Sequence, residues 1–576
     1  MKIKTGRTLV AALFGVLLNA AAWAGESEKP LNFLLIVADD LGYLDLGVFG
    51  SEIETPNIDQ LANEGVVLTN YHTAPMCAPS RAELMSGTDH HLAGQGLMDV
   101  NVDMRPGYEG YLNGRVVSLA SRLKRVGYHT FMTGKWHLGQ GGDQSPRARG
   151  FERSFVTLAG GASHYGDQIG VLKDTRAKYR EDGNLVDNLP EDFYSSDYYT
   201  DKMLEFLRTQ ENDDKPFFAY LSFTAPHWPI QAPEADVAKQ KGRYNDGYDV
   251  LRQKRFEAWK SRGFSRDDLK PPLLTKDHRA WTDLTPDEQA KSARTMEVYA
   301  AMVARMDKQI GRVFDYLRKS GQWENTVVLF QSDNGPDATT GNPAFTVGDN
   351  RLDNIGRPGS WAYLGPGWAS AGSAQYFLPK SYAGEGGHRV PAIVSAPNLR
   401  ATQTQSDALI ATYDVAPTFL ELAGAKVNPA SEDEQVLPVT GRSFAALIDG
   451  REFVDARGAN DAFGREHSGN ASIQRGDWKL LWVGDQPMYL GVKRPGPPPM
   501  SGRPMDQARF DRGAPAGTPI GSGGPWRLHN LKDDPSERED LSAQYPDIVQ
   551  ALLKEWDQFV EENGVMVKSG YGDPAH

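Results

Sequence analysis

Residues 32–38 read NFLLIVA, and the four residues that follow them read DDLG. The first segment is apolar without alternation, a pattern typical of a strand that is buried on both faces of a parallel sheet. Segments of similar character occur at 129–132, 216–223 and 326–330. We therefore predict that residues 32–38 form a strand within a largely parallel sheet.

Helical periodicity lies between these apolar segments. Residues 116–126 and 293–320 place apolar side chains on one helical face, and the second segment ends at Gly321. Alternating strands and helices indicate an α/β fold, in which a large, mostly parallel mixed sheet is sandwiched by helices. Residues 238–294 are highly charged and predict a helical insertion over the rim of the fold.

The pattern changes beyond about Gly424. Two short strands, an irregular loop rich in Pro and Gly, and an amphipathic closing helix are predicted at 473–483, 526–531, 494–524 and 546–562. Because 576 residues exceed one typical domain, we predict a large N-terminal domain at 28–425. A smaller C-terminal α+β subdomain with a short antiparallel sheet is predicted at 426–576.

The composition excludes some classes of partner. The chain is 40% hydrophobic and 24% charged, as in an ordinary globular protein. Its net charge of −13 argues against nucleic acid or an anionic membrane as the main partner. We expect neither partner, and any anion-binding site must be built from local positive charge.

The first 24 residues have the pattern of a signal peptide. Three basic residues precede an apolar stretch at 9–18, and Ala22-Trp23-Ala24 forms a cleavage site of the small-x-small type. The apolar stretch is too short for a mature membrane anchor. The pattern predicts an exported protein that is periplasmic or secreted.

The chain contains one cysteine, Cys77. A lone cysteine is most often a small buried apolar residue, but the sequence around this one, CAPSRAELMSG, favours a functional role. Pro79 near the start and Gly87 at the end predict a short helix. Cys77 then lies at the positive N-terminal end, where anions are favoured, and Arg81 lies one turn further on.

Polar residues follow directly after the four predicted strands. They are Asp39 and Asp40, Lys135 and His137, His227, and Asp333 and Asn334. Each is by itself commoner as a turn, a cap or a core residue, but the carboxyl ends of parallel strands converge on ligands. Three carboxylates and an amide oxygen suit Ca²⁺ or Mg²⁺. Two histidines and a lysine suit an anion whose charge grows during reaction.

The segment at 77–87 resembles the signature of the sulfatase family, Cys-x-Pro-Ser-Arg followed by Thr/Ser-Gly. Further matches occur in family order: ADDLG at 38–42, TPNID at 55–59, GKWH at 134–137, SDNG at 332–335, EGGHRVP at 385–391, YDVAPT at 413–418 and GDWKL at 476–480. Ser86 stands where Thr is commoner. The resemblance covers nearly the whole chain and is strongest to bacterial arylsulfatases, which are formylglycine-dependent type I sulfatases of the alkaline phosphatase superfamily.

The resemblance implies a modified nucleophile and one metal ion. By this resemblance, a maturation enzyme is expected to convert Cys77 to Cα-formylglycine (3-oxoalanine) before folding. The implied ligands of the metal are oxygen atoms of Asp39, Asp40, Asp333, Asn334 and the modified Cys77. The family favours Ca²⁺, whereas the ligand types alone also permit Mg²⁺.

The resemblance also implies the roles of the remaining site residues. Arg81 holds the formylglycine hydrate, and Asp333 can take the proton of the attacking hydroxyl. The sulfate and its leaving group are bound by Lys135, His227 and Lys380, with His227 or Lys380 as general acid. His137 acts on the second hydroxyl of the hydrate, which releases sulfate. Lys380 is placed only by its distance ahead of the motif at 385–387.

The expected activity is hydrolysis of a small-molecule sulfate monoester, with an aryl ester favoured over alkyl and carbohydrate esters. One alternative is a phosphonate monoester or phosphodiester hydrolase of the same superfamily. Another is a binding protein without catalysis, which is expected to have lost a ligand or the cysteine. Loops at 338–379 and 494–524 are expected to select the substrate. His90 and His91 are left out as a metal pair, because adjacent side chains point in different directions.

Overall fold

The computed structural model describes residues 29–98, 106–210, 213–275, 278–341, 344–396, 404–428, 435–449, 451, 457–458, 460–483 and 526–565. The predicted signal peptide at 1–24 and the predicted loop at 494–524 lie outside the described residues. Within the described ranges, no helix combines the length and the apolar character needed to cross a membrane.

The described residues contain sixteen strands. In chain order they are β1 Asn32–Ala38, β2 Val66–Leu68, β3 Tyr71–His72, β4 His129–Lys135, β5 Arg153–Thr157, β6 Tyr179–Glu181, β7 Asn184–Val186, β8 Phe217–Ser222, β9 Thr326–Ser332, β10 Ala392–Ser395, β11 Gln405–Ser406, β12 Ile410–Ala411, β13 Ala462–His467, β14 Asn470–Arg475, β15 Trp478–Trp482 and β16 Arg527–Asn530.

The same residues contain twelve α-helices. In chain order they are α1 Pro56–Glu64, α2 Cys77–Ser86, α3 Leu119–Arg125, α4 Ser195–Arg208, α5 Glu234–Val237, α6 Tyr248–Trp259, α7 Pro286–Lys319, α8 Gly365–Gly372, α9 Glu385–His388, α10 Val415–Leu422, α11 Ala445–Asp449 and α12 Pro546–Asn563.

Ten strands form one mixed sheet in the order β11-β2-β10-β9-β1-β8-β4-β5-β6-β7. The strands β9, β1, β8, β4 and β5 are parallel to one another. At the two sides of this group, β10 runs antiparallel to β9 and β6 runs antiparallel to β5. The bounds predicted for β1 are confirmed, and every residue of this strand is buried. The predicted α/β fold with a mostly parallel mixed sheet is therefore confirmed.

The two faces of the sheet carry separate apolar layers. Leu34 and Ile36 of β1 face a layer that includes apolar residues of α4 and α7. Phe33 and Leu35 of the same strand face the opposite layer, with apolar residues of α3 and α10. This two-sided burial is the reason that the strand is apolar without alternation.

Helix α7 begins earlier than the predicted segment at 293–320. Its first two turns are polar, so apolar periodicity cannot detect them. The start is defined instead by Thr285, which accepts a hydrogen bond from the backbone N–H of Glu288 while the Glu288 carboxylate accepts one from Thr285. This reciprocal capping box satisfies amide groups that a helix N-terminus leaves free.

The C-terminal part contains the predicted antiparallel sheet and closing helix. Strands β13, β14, β15 and β16 pair in that order, and α12 packs on the sheet through Leu552 and Trp556. The apolar segment predicted at 473–483 is a hairpin, which turns at Gly476 with a φ of 56°. The domain boundary predicted at residue 425 stays a prediction.

Candidate active site

Helix α2 brings Cys77 to the carboxyl ends of the central strands. Cys77 is the first residue of α2, and the helix ends at Gly87 in a left-handed conformation, as the sequence predicts. The thiol lies 3.3 Å from Oδ1 of Asp39 and 3.7 Å from Oδ1 of Asp40. All residues of α2 are buried, so this end of the helix is enclosed.

Arg81 joins α2 to three strands. Its Nε donates to Oδ2 of Asp333 at 2.9 Å, and its Nη2 lies 2.7 Å from the same oxygen. Its Nη1 donates to the carbonyl oxygen of Lys135 at 2.9 Å and to Oγ of Ser222 at 2.5 Å. The side chain is buried, and its charge is matched by that of Asp333.

Lysines pair with the two carboxylates that follow β1. Nζ of Lys135 lies 2.6 Å from Oδ2 of Asp39, and Nζ of Lys380 lies 2.8 Å from the Asp40 carboxylate. Nε2 of His227 lies 3.6 Å from Oδ2 of Asp40. The structure thus places Lys380, which is 340 residues from Asp40 in sequence, beside the residues that follow β1.

The donor set fits a hard divalent cation. Ligand atoms of Asp39, Asp40, Cys77 and His227 all lie within 4.8 Å of one another. Nδ2 of Asn334 donates to Oδ1 of Asp40 at 2.6 Å. The buried Oδ1 of Asn334 has no hydrogen-bond partner in the part of the chain that the structure describes. An unsatisfied buried oxygen beside crowded carboxylates is the arrangement that Ca²⁺ or Mg²⁺ satisfies.

Burial and crowding perturb the acidic groups. Burial, assisted by the charge of Asp333, raises the pKa of Asp39 to about 6. Burial raises the pKa of Asp40 to about 8, although Lys380 opposes the shift. Burial also acts to raise the pKa of Asp333, but the adjacent Arg81 guanidinium outweighs it and holds this pKa below its usual value. A cation that reduces the repulsion among these carboxylates is therefore favoured.

The Cys77 thiol is held in its protonated form. Burial raises the pKa of the thiol well above its usual value, and the Asp333 carboxylate adds to the shift. A thiolate is the nucleophilic form of cysteine, and it is disfavoured at this position. The environment therefore does not activate the unmodified side chain.

Two adjacent glycines bring His137 and His227 to one side of the site. A Cβ atom at Gly160 would lie 2.6 Å from Cε1 of His137, and one at Gly161 would lie 3.1 Å from Cε1 of His227. Both rings are buried. Nδ1 of His227 lies 2.5 Å from the carbonyl oxygen of Trp228, so this nitrogen carries a hydrogen and Nε2 faces Asp40.

Sequence reasoning missed Asp337 as a residue of the site. Its Oδ2 accepts hydrogen bonds from Nζ of Lys380 at 3.1 Å and from Nε1 of Trp228 at 3.0 Å. Its Oδ1 accepts one from the backbone N–H of Thr339 at 2.6 Å. The one signal in the sequence is its place four residues after Asp333.

His90 and His91 lie in a separate ionic cluster. Nδ1 of His90 lies 3.0 Å from Oε1 of Glu83. His91 lies between two carboxylates, with Nδ1 2.7 Å from Asp89 and Nε2 2.9 Å from Glu466. These contacts connect the residues after α2 to β13.

Comparison with known proteins identifies the family of this chain. The sulfatase family profile matches residues 31–425. An uncharacterized sulfatase of Schizosaccharomyces pombe is 38% identical, over 94% of this chain and 95% of its own. An arylsulfatase of Klebsiella aerogenes is also 38% identical, over 76% of this chain and 96% of its own. The protein therefore belongs to the sulfatase family and is a hydrolase of sulfate esters.

A solved structure of another protein has a similar fold. The protein Ps i-CgsB, whose crystal structure contains k-i-k-neocarrahexaose, superposes with a TM-score of 0.62. That structure is 24% identical in sequence and covers 94% of this chain and 95% of its own. At this identity the likeness concerns the fold alone.

Proposed function

We propose that the protein hydrolyses aryl sulfate monoesters to a phenol and inorganic sulfate, with a formylglycine derived from Cys77 as nucleophile. The observation that carries the proposal is the position of Cys77. It is the first residue of α2, is fully enclosed, and lies 3.3 Å from Asp39 among carboxylates and cations. This environment keeps the thiol protonated, so an unmodified cysteine is a poor nucleophile at this position. Conversion of the side chain to formylglycine would supply the nucleophile.

The charge of the site supports a substrate with a single negative charge. Four carboxylates and three cationic side chains meet there, namely Asp39, Asp40, Asp333, Asp337, Arg81, Lys135 and Lys380. Their formal charges sum to −1, and a divalent cation brings the sum to +1. A sulfate monoester carries one negative charge, whereas a phosphate monoester carries nearly two at neutral pH.

Asp39, Asp40, Asp333 and Asn334 are the residues proposed to hold the metal, together with the modified Cys77. We favour Ca²⁺ over Mg²⁺. When present, the metal and the formylglycine hydrate supply a nucleophilic oxygen for sulfur and a route by which sulfate is later released. Arg81 is assigned to hold the modified side chain, because it lies one turn further along α2 and is fixed by Asp333.

The leaving group requires a proton donor. Lys380 holds hydrogens at Nζ, whereas neutral His227 carries its hydrogen at Nδ1 and presents an acceptor at Nε2. We therefore assign Lys380 as general acid and Lys135 to bind the sulfate oxygens. His227 is assigned to bind these oxygens in its protonated form, which an anionic substrate favours. Asp333 is assigned as the base for attack on sulfur and His137 as the base for release.

The aryl group is inferred from two features. The Klebsiella relative is an arylsulfatase and shares 38% of its residues with this chain. Beside His227, the ring of Trp228 lies 4.9 Å from that of Phe345 and 5.0 Å from that of Tyr363, centroid to centroid. An aromatic wall next to a residue that binds sulfate favours a flat apolar leaving group.

The test is a comparison of two substrates that share one phenol. Wild-type protein from its native host and a Cys77→Ala variant are assayed with an aryl sulfate and with the matching aryl phosphonate monoester. Preference for the sulfate, with loss of activity in Cys77→Ala, is the expected result. Preference for the phosphonate would make the protein a phosphonate hydrolase. Inactivity on both substrates, in wild-type protein whose Cys77 peptide shows the mass of the aldehyde, would exclude both activities.

Export and maturation are proposed with this function. The signal peptide predicted at 1–24 would direct the protein to the periplasm or the exterior, and a formylglycine-generating enzyme is the partner that modification requires. Mass analysis of the mature N-terminus and of the Cys77 peptide from the native host tests both. An N-terminus that retains residues 1–24, or an unmodified thiol in active enzyme, would contradict them.

A further inference from the structure

Lys380 lies on a loop whose backbone is strained. This Lys380 loop (residues 375–388) is joined to the site by two backbone hydrogen bonds, from Lys380 N to Pro336 O at 3.2 Å and from Ser381 N to Pro75 O at 2.8 Å. Leu378 and Ser381 have φ values of 64° and 79°, in the left-handed region that non-glycine residues rarely adopt. Such a conformation persists only where the surroundings hold it.

The last residues of this loop form α9, which packs without room for side chains against Leu378 of the same loop and against Gly335. A Cβ atom at Gly386 would lie 2.1 Å from the carbonyl oxygen of Leu378. A Cβ atom at Gly335, which follows Asn334, would lie 1.9 Å from the carbonyl oxygen of Gly386. Because the backbones approach this closely, we expect a displacement of α9 to move Leu378, in the rest of the Lys380 loop, and Gly335 together.

The first residue of α9 is held by the C-terminal part of the chain. Nζ of Lys479, on β15, lies 2.7 Å from Oε1 of Glu385 and 2.9 Å from Oε1 of Glu537. Oε2 of Glu537 accepts a hydrogen bond from the backbone N–H of Glu385 at 2.8 Å. These three residues, the Lys479 network, are buried.

Two further contacts connect the Lys380 loop to the same region. Leu481 and Val483 pack in one apolar cluster with Phe377, Leu378, Tyr382 and Ala383 of the loop. Oγ of Ser536, beside Glu537, donates to the carbonyl oxygen of Gln375 at 3.0 Å. Both ends of the loop therefore rest on residues of the C-terminal part.

We propose that Lys479 is a positioning residue, which fixes Lys380 in the active site by holding α9 through Glu385. The proposal rests on the proposed function, because it assumes that Lys380 acts on the substrate. Burial of a charged network costs desolvation energy and adds little net stability over apolar side chains of the same shape. Its directed contacts, in contrast, define one position for the first residue of α9.

The first test measures the loop itself by hydrogen–deuterium exchange in the full-length protein. In Lys479→Met, amides of residues 375–388 are expected to exchange about tenfold faster than in wild type. Lys479→Arg is expected to restore part of the protection. The control is Arg475→Met, which breaks the pair between Arg475 of the same C-terminal sheet and Glu555 of α12 and is expected to leave these amides unchanged. Equal exchange in wild type and Lys479→Met would overturn the proposal.

The second test asks whether Lys479 acts through Lys380. We expect Lys479→Met to lower kcat/KM for an aryl sulfate about tenfold, and to cause no further loss when Lys380→Ala is already present. Losses that add in the double variant would overturn the proposal. If wild type itself hydrolyses no aryl sulfate, the proposed function fails, and the exchange experiment still decides whether Lys479 positions the loop.

A milder variant serves if Lys479→Met does not fold. Glu537→Gln keeps an oxygen that can accept from the Glu385 N–H but removes one carboxylate beside Lys479. We expect faster exchange of residues 375–388 in this variant, by about threefold, with the global unfolding transition preserved. Unchanged exchange in a folded Glu537→Gln protein would count against the network as the element that holds α9.

Discussion

Arg81 contacts Asp333 through two nitrogen atoms, with Nε at 2.9 Å and Nη2 at 2.7 Å from the same carboxylate oxygen. Both side chains are buried. Since Asp333 follows β9 and Arg81 lies in α2, this pair fixes the position of the helix that begins at Cys77 against the central strands. The position of Cys77, the proposed nucleophile, thus depends on a contact between residues that are 252 apart in sequence.

Removal of the Arg81 side chain is expected to affect both stability and activity. Arg81→Met leaves Asp333 buried without its main cation, which costs about 3 kcal/mol in the free energy of unfolding. We expect kcat/KM for an aryl sulfate to fall about 100-fold or more, as measured by steady-state kinetics and urea unfolding. Arg475→Met, which breaks a partly exposed pair, is the control and is expected to cost less than about 1 kcal/mol. A stable, fully active Arg81→Met protein would contradict the assigned role.

Asp337 is expected to support Lys380. Asp337→Asn keeps one oxygen, which can accept from the backbone N–H of Thr339, and replaces the oxygen that accepts from Trp228 and Lys380 with an uncharged NH2 group. Because a hydrogen bond to a charged group contributes about 1.5–3 kcal/mol, we expect kcat/KM to fall at least about tenfold. Trp228→Phe, which removes the other donor to Oδ2 of Asp337 and keeps an aromatic ring, controls for the loss of that contact. An unchanged kcat/KM in Asp337→Asn would show that Lys380 does not need this carboxylate.

Metal binding is expected to stabilise the fold through Asn334. At a Ca²⁺ concentration of about 100 times Kd, the free energy of unfolding rises by about 2.7 kcal/mol. Thermal unfolding with Ca²⁺ or Mg²⁺, each compared with chelator, measures the shift and identifies the preferred ion. In Asn334→Ala the shift is expected to shrink, whereas Asn428→Ala, which removes side-chain bonds to Val439, should keep it. An equal shift in wild type and Asn334→Ala would exclude Asn334 as a ligand.

His91 is expected to make stability depend on pH. Burial alone would lower the pKa of His91, but Asp89 and Glu466 outweigh it and raise this pKa to about 10. The stabilisation is therefore complete below the unfolded pKa of about 6.5 and is lost as the pH rises toward about 10, by up to about 1.4 kcal/mol per pH unit.

The measurement is the difference in the free energy of unfolding between wild type and His91→Gln at several pH values. This difference should be largest near pH 6 and should shrink as the pH increases. His278→Gln serves as the control. His278 also pairs with a carboxylate, that of Asp249, but it lies on the charged insertion and outside the His91 cluster. A difference that grows with pH would show that His91 is neutral in the folded protein.

Much of the site could be predicted because its residues follow directly after buried strands. Asp39 and Asp40 come after β1, and the carboxyl ends of parallel strands lie at one edge of the sheet. Cys77 could be placed at a helix N-terminus because Pro79 and Gly87 mark the two ends of α2. Lys380 follows no regular element and could be placed only by its distance from a family motif.

The remaining residues of the site depend on packing that no local pattern encodes. Asp337 and Gly160 lie in irregular segments, and their importance comes from what packs against them: Lys380 in one case, the His137 ring in the other. Lys479 belongs to a motif that could be recognised, but its contacts with Glu385 and Glu537 appear only when β15 lies against α9.

The sequence by itself determined the buried strands, the amphipathic helices, the helix that begins at Cys77 and the types of side chain available for a metal and an anion. These features follow from periodicity and from local steric rules, which act between neighbouring residues. Only the tertiary structure decided which cation contacts which carboxylate and which segments hold the Lys380 loop. Those contacts join residues that are tens to hundreds of positions apart, so they form only when packing of the core brings distant segments together.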